Sequence, residues 1–263
     1  MSGTCSVVTL SPRDYDAVLF DLDGVLTKTA SVHAAAWKKL FDDFLERRAT
    51  AAGERFVPFD IESDYRRYVD GKPRLDGVTS FLTSRTIELP IGTSDDVPDA
   101  QTMHALARRK DEYFLQHLER QGVERYEAAV TLVEALRAHD VKTAVVSSSR
   151  NCATVLEAAG IAALFDARVD GMDIERLGLP GKPAPDMFLE ASRRLAVEPG
   201  RAVIVEDAIA GVAAGHAGAF GMVIGVDRGG RSQALREAGA DVVVTSLARP
   251  DCGRAAFRMV AGV

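Results

Sequence analysis

Two aspartates one residue apart, in Asp21-Leu22-Asp23-Gly24, follow directly on a short unbroken apolar run, AVLF over Ala17–Phe20. Carboxylates this close repel one another unless a cation neutralises them, and an all-oxygen donor set suits a hard ion such as magnesium. Gly24 lets the chain turn sharply straight afterwards. A calcium loop does not fit: counted from Asp21, the sixth position is Leu26 in place of glycine and the twelfth is Val32 in place of glutamate. A solvated acidic turn is the plain alternative for the tetrapeptide alone, and the apolar run ahead of it argues against that.

Three further groups carry chemistry. Ser147-Ser148-Ser149-Arg150-Asn151 offers hydroxyls next to the amides of a following helix, a natural phosphate cradle; a simple Ser/Asn helix cap is the bland reading. Gly181-Lys182-Pro183-Ala184-Pro185-Asp186 places a lysine in a stiff, non-helical stretch, where the prolines hold the ammonium in one direction; in isolation a surface-loop lysine is the alternative. Glu206-Asp207 adds a second acidic pair, which alone reads equally well as a solvated turn. No P-loop is present, since Gly181-Lys182 runs into Pro183 and position 176 is arginine, and no GxGxxG occurs. Gly211, Gly215 and Gly218 are spaced as a close-packed helix face.

These groups need a scaffold that brings them to one rim. The run at Ala17–Phe20 has the composition of a strand buried on both faces. Residues 143–146 (TAVV), 202–205 (AVIV), 222–226 and 241–244 predict further strands. Between them, a helix over 151–159 stops at Gly160, and another after Asp207 presents Ile209, Val212, Ala213 and His216 on one face. This alternation predicts an α/β fold with a parallel, Rossmann-like sheet and helices on both faces. The acidic, hydroxyl, lysine and second acidic groups then all follow strands and converge on the carboxyl edge, where open α/β proteins build their sites.

Residues 29–121 break the alternation. Trp37, Leu40, Phe41, Phe44 and Leu45 form an apolar helix stripe, a second helix covers 100–118, and loops occupy 51–58 and 89–99. The reading is an inserted α-helical cap domain over 29–121, with the catalytic core formed by 1–28 and 122–263. The 263 residues, 47% hydrophobic and 27% charged, suffice for such an arrangement, and a net charge of −6 offers no global attraction for nucleic acid or acidic lipid. No apolar run is long enough for a membrane span, and the N-terminus lacks a signal-peptide pattern, so a cytoplasmic protein is expected. Cys5, Cys152 and Cys252 are scattered and odd in number, which fits reduced thiols.

Taken in order, DLDGVLT, SSSRN, GKPAPD and VEDAIAG resemble the haloacid dehalogenase superfamily of phosphatases and phosphomutases over nearly the whole chain. The resemblance implies Asp21 as nucleophile and Asp23 as general acid/base, with Ser147 and Lys182 gripping the transferring phosphoryl group. It implies magnesium held by the Asp21 side chain, the Asp23 carbonyl and the Glu206/Asp207 pair, Asp207 being the direct ligand of the two. An acid at position 23 favours phosphate esters, because dehalogenation at carbon needs no proton for a leaving oxygen.

Within the superfamily the chain resembles the β-phosphoglucomutase branch, through DLDGVLTKTASVHAAAW, DGKPR, LARRKDE, SSSRN and GKPAPD. The implied reaction interconverts β-D-glucose 1-phosphate and glucose 6-phosphate through a 1,6-bisphosphate, the same bisphosphate serving as activator; a sugar-phosphate phosphatase is the alternative. Two phosphate sites follow from a bisphosphate. Ser147 and Lys182 serve the reacting group, while Arg74 with Ser149, Arg150 and Asn151 serves the distal one, and Ser148 is a further substrate-binding residue. His33, one turn before Trp37, gates Asp23 in this reading, and Lys110 closes over the sugar. Without the resemblance, His33 reads as a core-facing histidine and Lys110 as part of a solvated helix face. Lys28 stands where the branch commonly has an acidic residue. The expected partner is a small phosphorylated sugar, with no nucleic acid or membrane, and the expected state is a monomer.

Overall fold

The computed structural model describes residues 7–248 and 256–259. Cys5 and Cys252 lie outside them, and Cys152 is a buried thiol. The chain divides into two compact units, Met1–Lys28 with Val123–Val263, and Thr29–Gly122.

The first unit is built on six parallel strands. In chain order they are β2 (Ala17–Phe20), β3 (Lys142–Val146), β4 (Ala167–Val169), β5 (Ala202–Glu206), β6 (Met222–Val226) and β7 (Val242–Val244), after a separate short strand β1 (Val7–Leu10). Across the sheet the order is β4-β3-β2-β5-β6-β7, while β1 pairs in parallel with β8 (Ala256–Met259) in a separate two-stranded sheet. β2 is central: Phe20 lies beside Val145 on one side and Val205 on the other. The chain builds outward from β2 on one side, then returns to add β5, β6 and β7 on the other. That reversal opens a crevice at the carboxyl ends of β2 and β5, the usual ligand position in such sheets.

Burial explains why these strands read as continuous apolar runs. Leu19, Ala144, Val146 and Ile204 pack on one face against Met187, Phe188 and Val212, all fully buried. Val18, Phe20, Val145, Val203 and Val205 fill the opposite face and are also fully buried. Each such Leu, Val or Phe contributes roughly 1.5–3 kcal/mol relative to exposure. The helix Ile209–Ala217 buries Gly211, Val212, Ala214 and Gly215. This corrects the expected face: Ile209 and His216 are exposed. The glycines decide the matter, because a Cβ on Gly215 would press on Val223 and Ile204 at 3.1–3.2 Å. The backbone of that face is drawn tightly onto the sheet, and the bulkier residues are left outside.

The second unit is helical. Its α1 (Ala30–Ala52) buries Trp37, Leu40, Phe41, Phe44 and Leu45, and ends at Gly53 in the left-handed region. Phe41 packs on Phe59 and Phe81 with ring centroids 5.1 and 4.1 Å apart. A π-helical segment (Ile61–Val69) and α2 (Arg74–Ser84) complete this aromatic core, and neither was evident from periodicity. Asp60 caps the π-helical segment by accepting the Ser63 N–H at 2.7 Å. Helix α3 (Met103–Gln121) starts three residues later than expected, because Thr102 caps it through the Ala105 N–H at 3.1 Å.

Candidate active site

The carboxyl end of β2 delivers Asp21, whose N–H donates to the Val205 carbonyl at 2.9 Å, so the residue is still tied to the sheet. The chain then turns through Gly24 at φ +92°, a conformation that favours glycine. The turn is closed by Gly24 N–H to the Thr27 carbonyl at 2.7 Å and Thr27 N–H to the Leu22 carbonyl at 2.9 Å. Space fixes the glycine as firmly as φ does. A Cβ there would lie 2.1 Å from Asp207 Oδ2, so the Asp207 carboxylate rests directly on the turn.

Lys182, in the segment before the helix Asp186–Leu195, is only 1% exposed. Its ammonium donates to Asp21 Oδ1 at 2.6 Å, Glu206 Oε1 at 2.8 Å and the Val146 carbonyl at 3.0 Å. All three donors are thereby used. The Lys182–Pro183 peptide is cis. Burial works against the ammonium, yet Asp21 and Glu206 outweigh it and hold Lys182 charged, above the ordinary lysine value. Burial pushes the Asp21 carboxyl well up; Lys182 opposes that rise, while Glu206 and Asp23 add to it. A nucleophilic carboxylate in this position therefore needs more positive charge than Lys182 supplies.

Glu206 is fully buried and spoken for on both oxygens: Oε1 accepts from Lys182 and Oε2 from the Ala208 N–H at 2.6 Å. Gly211 makes room for it, since a Cβ there would fall 1.8 Å from Oε1. Asp207, 5% exposed, has its backbone carbonyl bonded by Arg231 Nη2 at 3.1 Å. Ser147, at the end of β3, accepts the Ser149 N–H at 3.1 Å, and its hydroxyl stands 3.4 Å from Asp23 Oδ2. Ser149 Oγ accepts the Asn151 N–H at 3.2 Å, Ser148 Oγ lies 4.0 Å from the Met187 sulfur, and Arg150 pairs with Glu175 at 2.8 Å.

The core unit thus brings together Asp21, Asp23, Ser147, Lys182, Glu206 and Asp207, drawn from four separate stretches of chain. The carboxylates of Asp21 and Glu206 share one buried ammonium, that of Lys182, and the Asp207 carboxylate has Arg231 at 3.9 Å, so the site keeps negative charge that a divalent cation would neutralise. Among the described residues, no three His, Cys, Asp or Glu side chains form a ready metal cage. Magnesium fits that donor set, because it takes one or two carboxylates and completes its shell with water and substrate phosphate. Arg231, Arg228 and the Asp227 loop that carries them escaped the sequence reading. No local pattern marks an arginine whose contact lies 24 residues away at Asp207.

In the helical unit His33 Nδ1 lies 2.5 Å from Lys110 Nζ, and the imidazole stacks on Phe114 with centroids 4.0 Å apart. Lys110 is 4% exposed, with its ammonium 5.5 Å from the Trp37 ring centroid, so it is no solvated-face lysine. Arg74 pairs with Asp111 at 2.6 Å. His33, Trp37 and Lys110 form one cluster. Lys28, at the end of the first segment of the core unit, pairs with Glu124 at 2.6 Å and donates its N–H to the Glu124 carbonyl at 2.8 Å. A positive charge at that position therefore has its partner within the same unit.

A parallel sheet with acid, hydroxyl and buried lysine at its carboxyl edge defines an α/β enzyme whose site lies on that edge. The chain belongs to the haloacid dehalogenase-like hydrolase family, which residues 15–218 match. It is 49% identical to a β-phosphoglucomutase from Mycobacterium bovis over 90% of this chain and 92% of that one. The Bacillus subtilis β-phosphoglucomutase is 30% identical over 87% of this chain and 88% of its own length. Among solved structures, β-phosphoglucomutase from Clostridium difficile superposes with a TM-score of 0.70 at 25% identity, covering 88% of this chain and 91% of that one. These relatives support an enzyme of phosphoryl transfer. No helix among the described residues is long and apolar enough to cross a membrane.

Proposed function

We propose that the protein is a magnesium-dependent β-phosphoglucomutase, interconverting β-D-glucose 1-phosphate and glucose 6-phosphate through a glucose 1,6-bisphosphate. The observation that carries this reading is Lys182, locked between Asp21 and Glu206 beside the Asp23–Ser147 contact. The near full-length similarity to the M. bovis mutase supports the choice of reaction.

In this reading the Asp21 carboxylate attacks phosphorus. The Asp21 oxygen–phosphorus bond forms as the sugar oxygen–phosphorus bond breaks, and Asp23 gives its proton to the departing oxygen. Asp23 then takes the proton of the 6-hydroxyl of β-glucose 1-phosphate as that oxygen accepts the phosphoryl group from Asp21, giving the 1,6-bisphosphate and freeing the Asp21 carboxylate; return of the 1-phosphoryl group to Asp21 releases glucose 6-phosphate. Lys182 and Ser147 hold the phosphoryl oxygens throughout, and Glu206 keeps the lysine aimed at them. Asp21 and Asp207, with the Asp23 carbonyl, would hold the magnesium; Glu206, with both oxygens engaged, supports from behind. Bound there, the ion supplies charge neutralisation that lets one anion approach another. In this reading the Thr29–Gly122 unit contributes Arg74 as a distal-phosphate ligand and His33, Trp37 and Lys110 as sugar-binding groups, and the core unit contributes Ser148, Ser149, Arg150 and Asn151 as substrate-binding groups.

A phosphatase reading rests on the hydrolase membership of the family. One assay separates the two. Protein is supplied with β-glucose 1-phosphate, magnesium and a trace of glucose 1,6-bisphosphate, and glucose 6-phosphate and inorganic phosphate are followed together. Glucose 6-phosphate without matching phosphate release is expected. Phosphate release accounting for most turnover would refute the mutase reading.

A further inference from the structure

The loop after β6 is built as a mount for two arginines, Arg228 and Arg231. Asp227, 8% exposed, donates its N–H to the Val244 carbonyl at 2.7 Å. Its carboxylate accepts from the Gly229 N–H at 3.0 Å, the Arg231 N–H at 2.8 Å and the Ser232 hydroxyl at 2.5 Å. The loop is therefore tied back onto itself and onto β7. From it Arg228 reaches the Gly24 carbonyl with Nε at 2.9 Å, its guanidinium 3.8 Å over the Tyr126 ring. Arg231 reaches the other side of the same contact. Its Nη2 bonds the Asp207 carbonyl at 3.1 Å and stands 3.9 Å from Asp207 Oδ2, both side chains being nearly buried at 14% and 7% exposure.

Asp207 is thus held between the acidic turn, against Gly24, and a guanidinium on a rigid mount. A carboxylate shared by two cations binds each less tightly than it would bind either alone, because each screens the other's attraction. We propose that Arg231 is the resident counter-ion of Asp207: it steadies that carboxylate when no divalent cation is bound and lowers the site's affinity for the cation. This rests on the reading of Asp207 as a magnesium ligand. Arg231 is a positioning residue here and touches no reacting atom. Its planar fork suits the task, since one nitrogen serves the backbone carbonyl while the charge remains near the carboxylate.

The test is calorimetric titration with magnesium chloride alone, on wild-type protein and on Arg231→Gln, Arg231→Met and Arg231→Lys. Melting temperatures are read with and without the ion. The Gln and Met variants are expected to bind magnesium roughly tenfold more tightly, a modest coupling for two cations on one carboxylate. They melt lower than wild type in chelator and show a larger rise on adding magnesium. Arg231→Lys keeps the charge and stays within about twofold of wild type, less than half of one tenfold step in free energy. A variant that unfolds without the ion and refolds with it also supports the proposal. Unchanged or weaker magnesium binding in both Gln and Met variants overturns it, as does a variant that stays unfolded with the ion. A wild-type protein that binds no magnesium overturns the metal reading itself, and the proposal with it.

Discussion

Replacing Lys182 with methionine keeps the length of the side chain and removes one buried charge. In the native arrangement that charge satisfies Asp21 at 2.6 Å and Glu206 at 2.8 Å, with Lys182 and Glu206 fully shielded and Asp21 nearly so. Without it, two carboxylates stay in a low-dielectric site facing each other, and the Val146 carbonyl loses its donor. Removing one partner of a buried ion pair costs about 3–5 kcal/mol, far more than an exposed pair would. For a chain of this size that corresponds to a fall in melting temperature of roughly 6–20 °C. Urea unfolding of chelator-treated protein at pH 7 measures it directly. The pH dependence has a definite sign. Burial already raises the Asp21 carboxyl, and losing its cation raises it further. A group whose folded value is raised contributes stability at low pH and loses it as pH climbs, so the deficit of the variant shrinks as the solution is acidified. Adding Glu206→Gln to Lys182→Met removes the like-charge contact and should recover part of the loss, a non-additivity that distant sites do not show. A loss below about 1 kcal/mol at pH 7, typical of an exposed pair, would refute the claim that this lysine is held by charge.

Three other expectations follow from the geometry. Asp23→Asn should slow turnover by roughly 10²–10⁴ while leaving the melting temperature near that of wild type, as for loss of a general acid/base; wild-type rates would remove its assigned role. Gly211→Ala forces a methyl to within 1.8 Å of Glu206 Oε1, so it should cost about 1–3 kcal/mol in urea unfolding and lower turnover by displacing Lys182. At the edge of the core, burial tends to raise the Asp173 carboxyl, but Arg194 and Arg176 outweigh it and hold it at about 2. That depressed value contributes roughly 2 kcal/mol above pH 4, lost as pH falls towards 2. The stability gap between wild type and Arg194→Gln, measured by urea midpoints, should therefore close over that interval.

Much of the core could be read directly because its strands are buried on both faces: AVLF, TAVV and AVIV have no reason to be unbroken otherwise. Three of the four chemical groups follow those strands, so their convergence needed only the rule that parallel strands share a carboxyl end. Lys182 instead comes from the loop between the helices Gly171–Leu177 and Asp186–Leu195, and its arrival at that edge does not follow from strand order. Where side chains face inwards from helices, the reading was weaker. Ile209 and His216 looked like a packed face of the helix Ile209–Ala217, but the glycines brought the backbone in and turned those residues out. Lys110 looked like a solvated charge; Phe114 is its i,i+4 neighbour on the same helix, but its burial against Trp37 depends on a helix pairing that no local spacing encodes. The π-helical segment at Ile61–Val69 escaped for a simpler reason: its width does not follow the 3.6-residue repeat by which helices are recognised. Glu206 was grouped with Asp207 by sequence adjacency. Neighbours on the chain at a strand end point in different directions, and here one reaches the buried lysine while the other rests on the turn.

The most direct trial of the account concerns a single covalent bond. Wild-type protein is mixed with magnesium and glucose 1,6-bisphosphate carrying a labelled phosphate, stopped in acid within the first turnovers, and mapped by mass spectrometry of its peptides. The account predicts a phosphoryl group on the peptide containing Asp21, released by hydroxylamine as an acyl phosphate is, and missing from a correctly folded Asp21→Asn protein. Label on a different side chain, or active wild-type protein that never carries any, would contradict it.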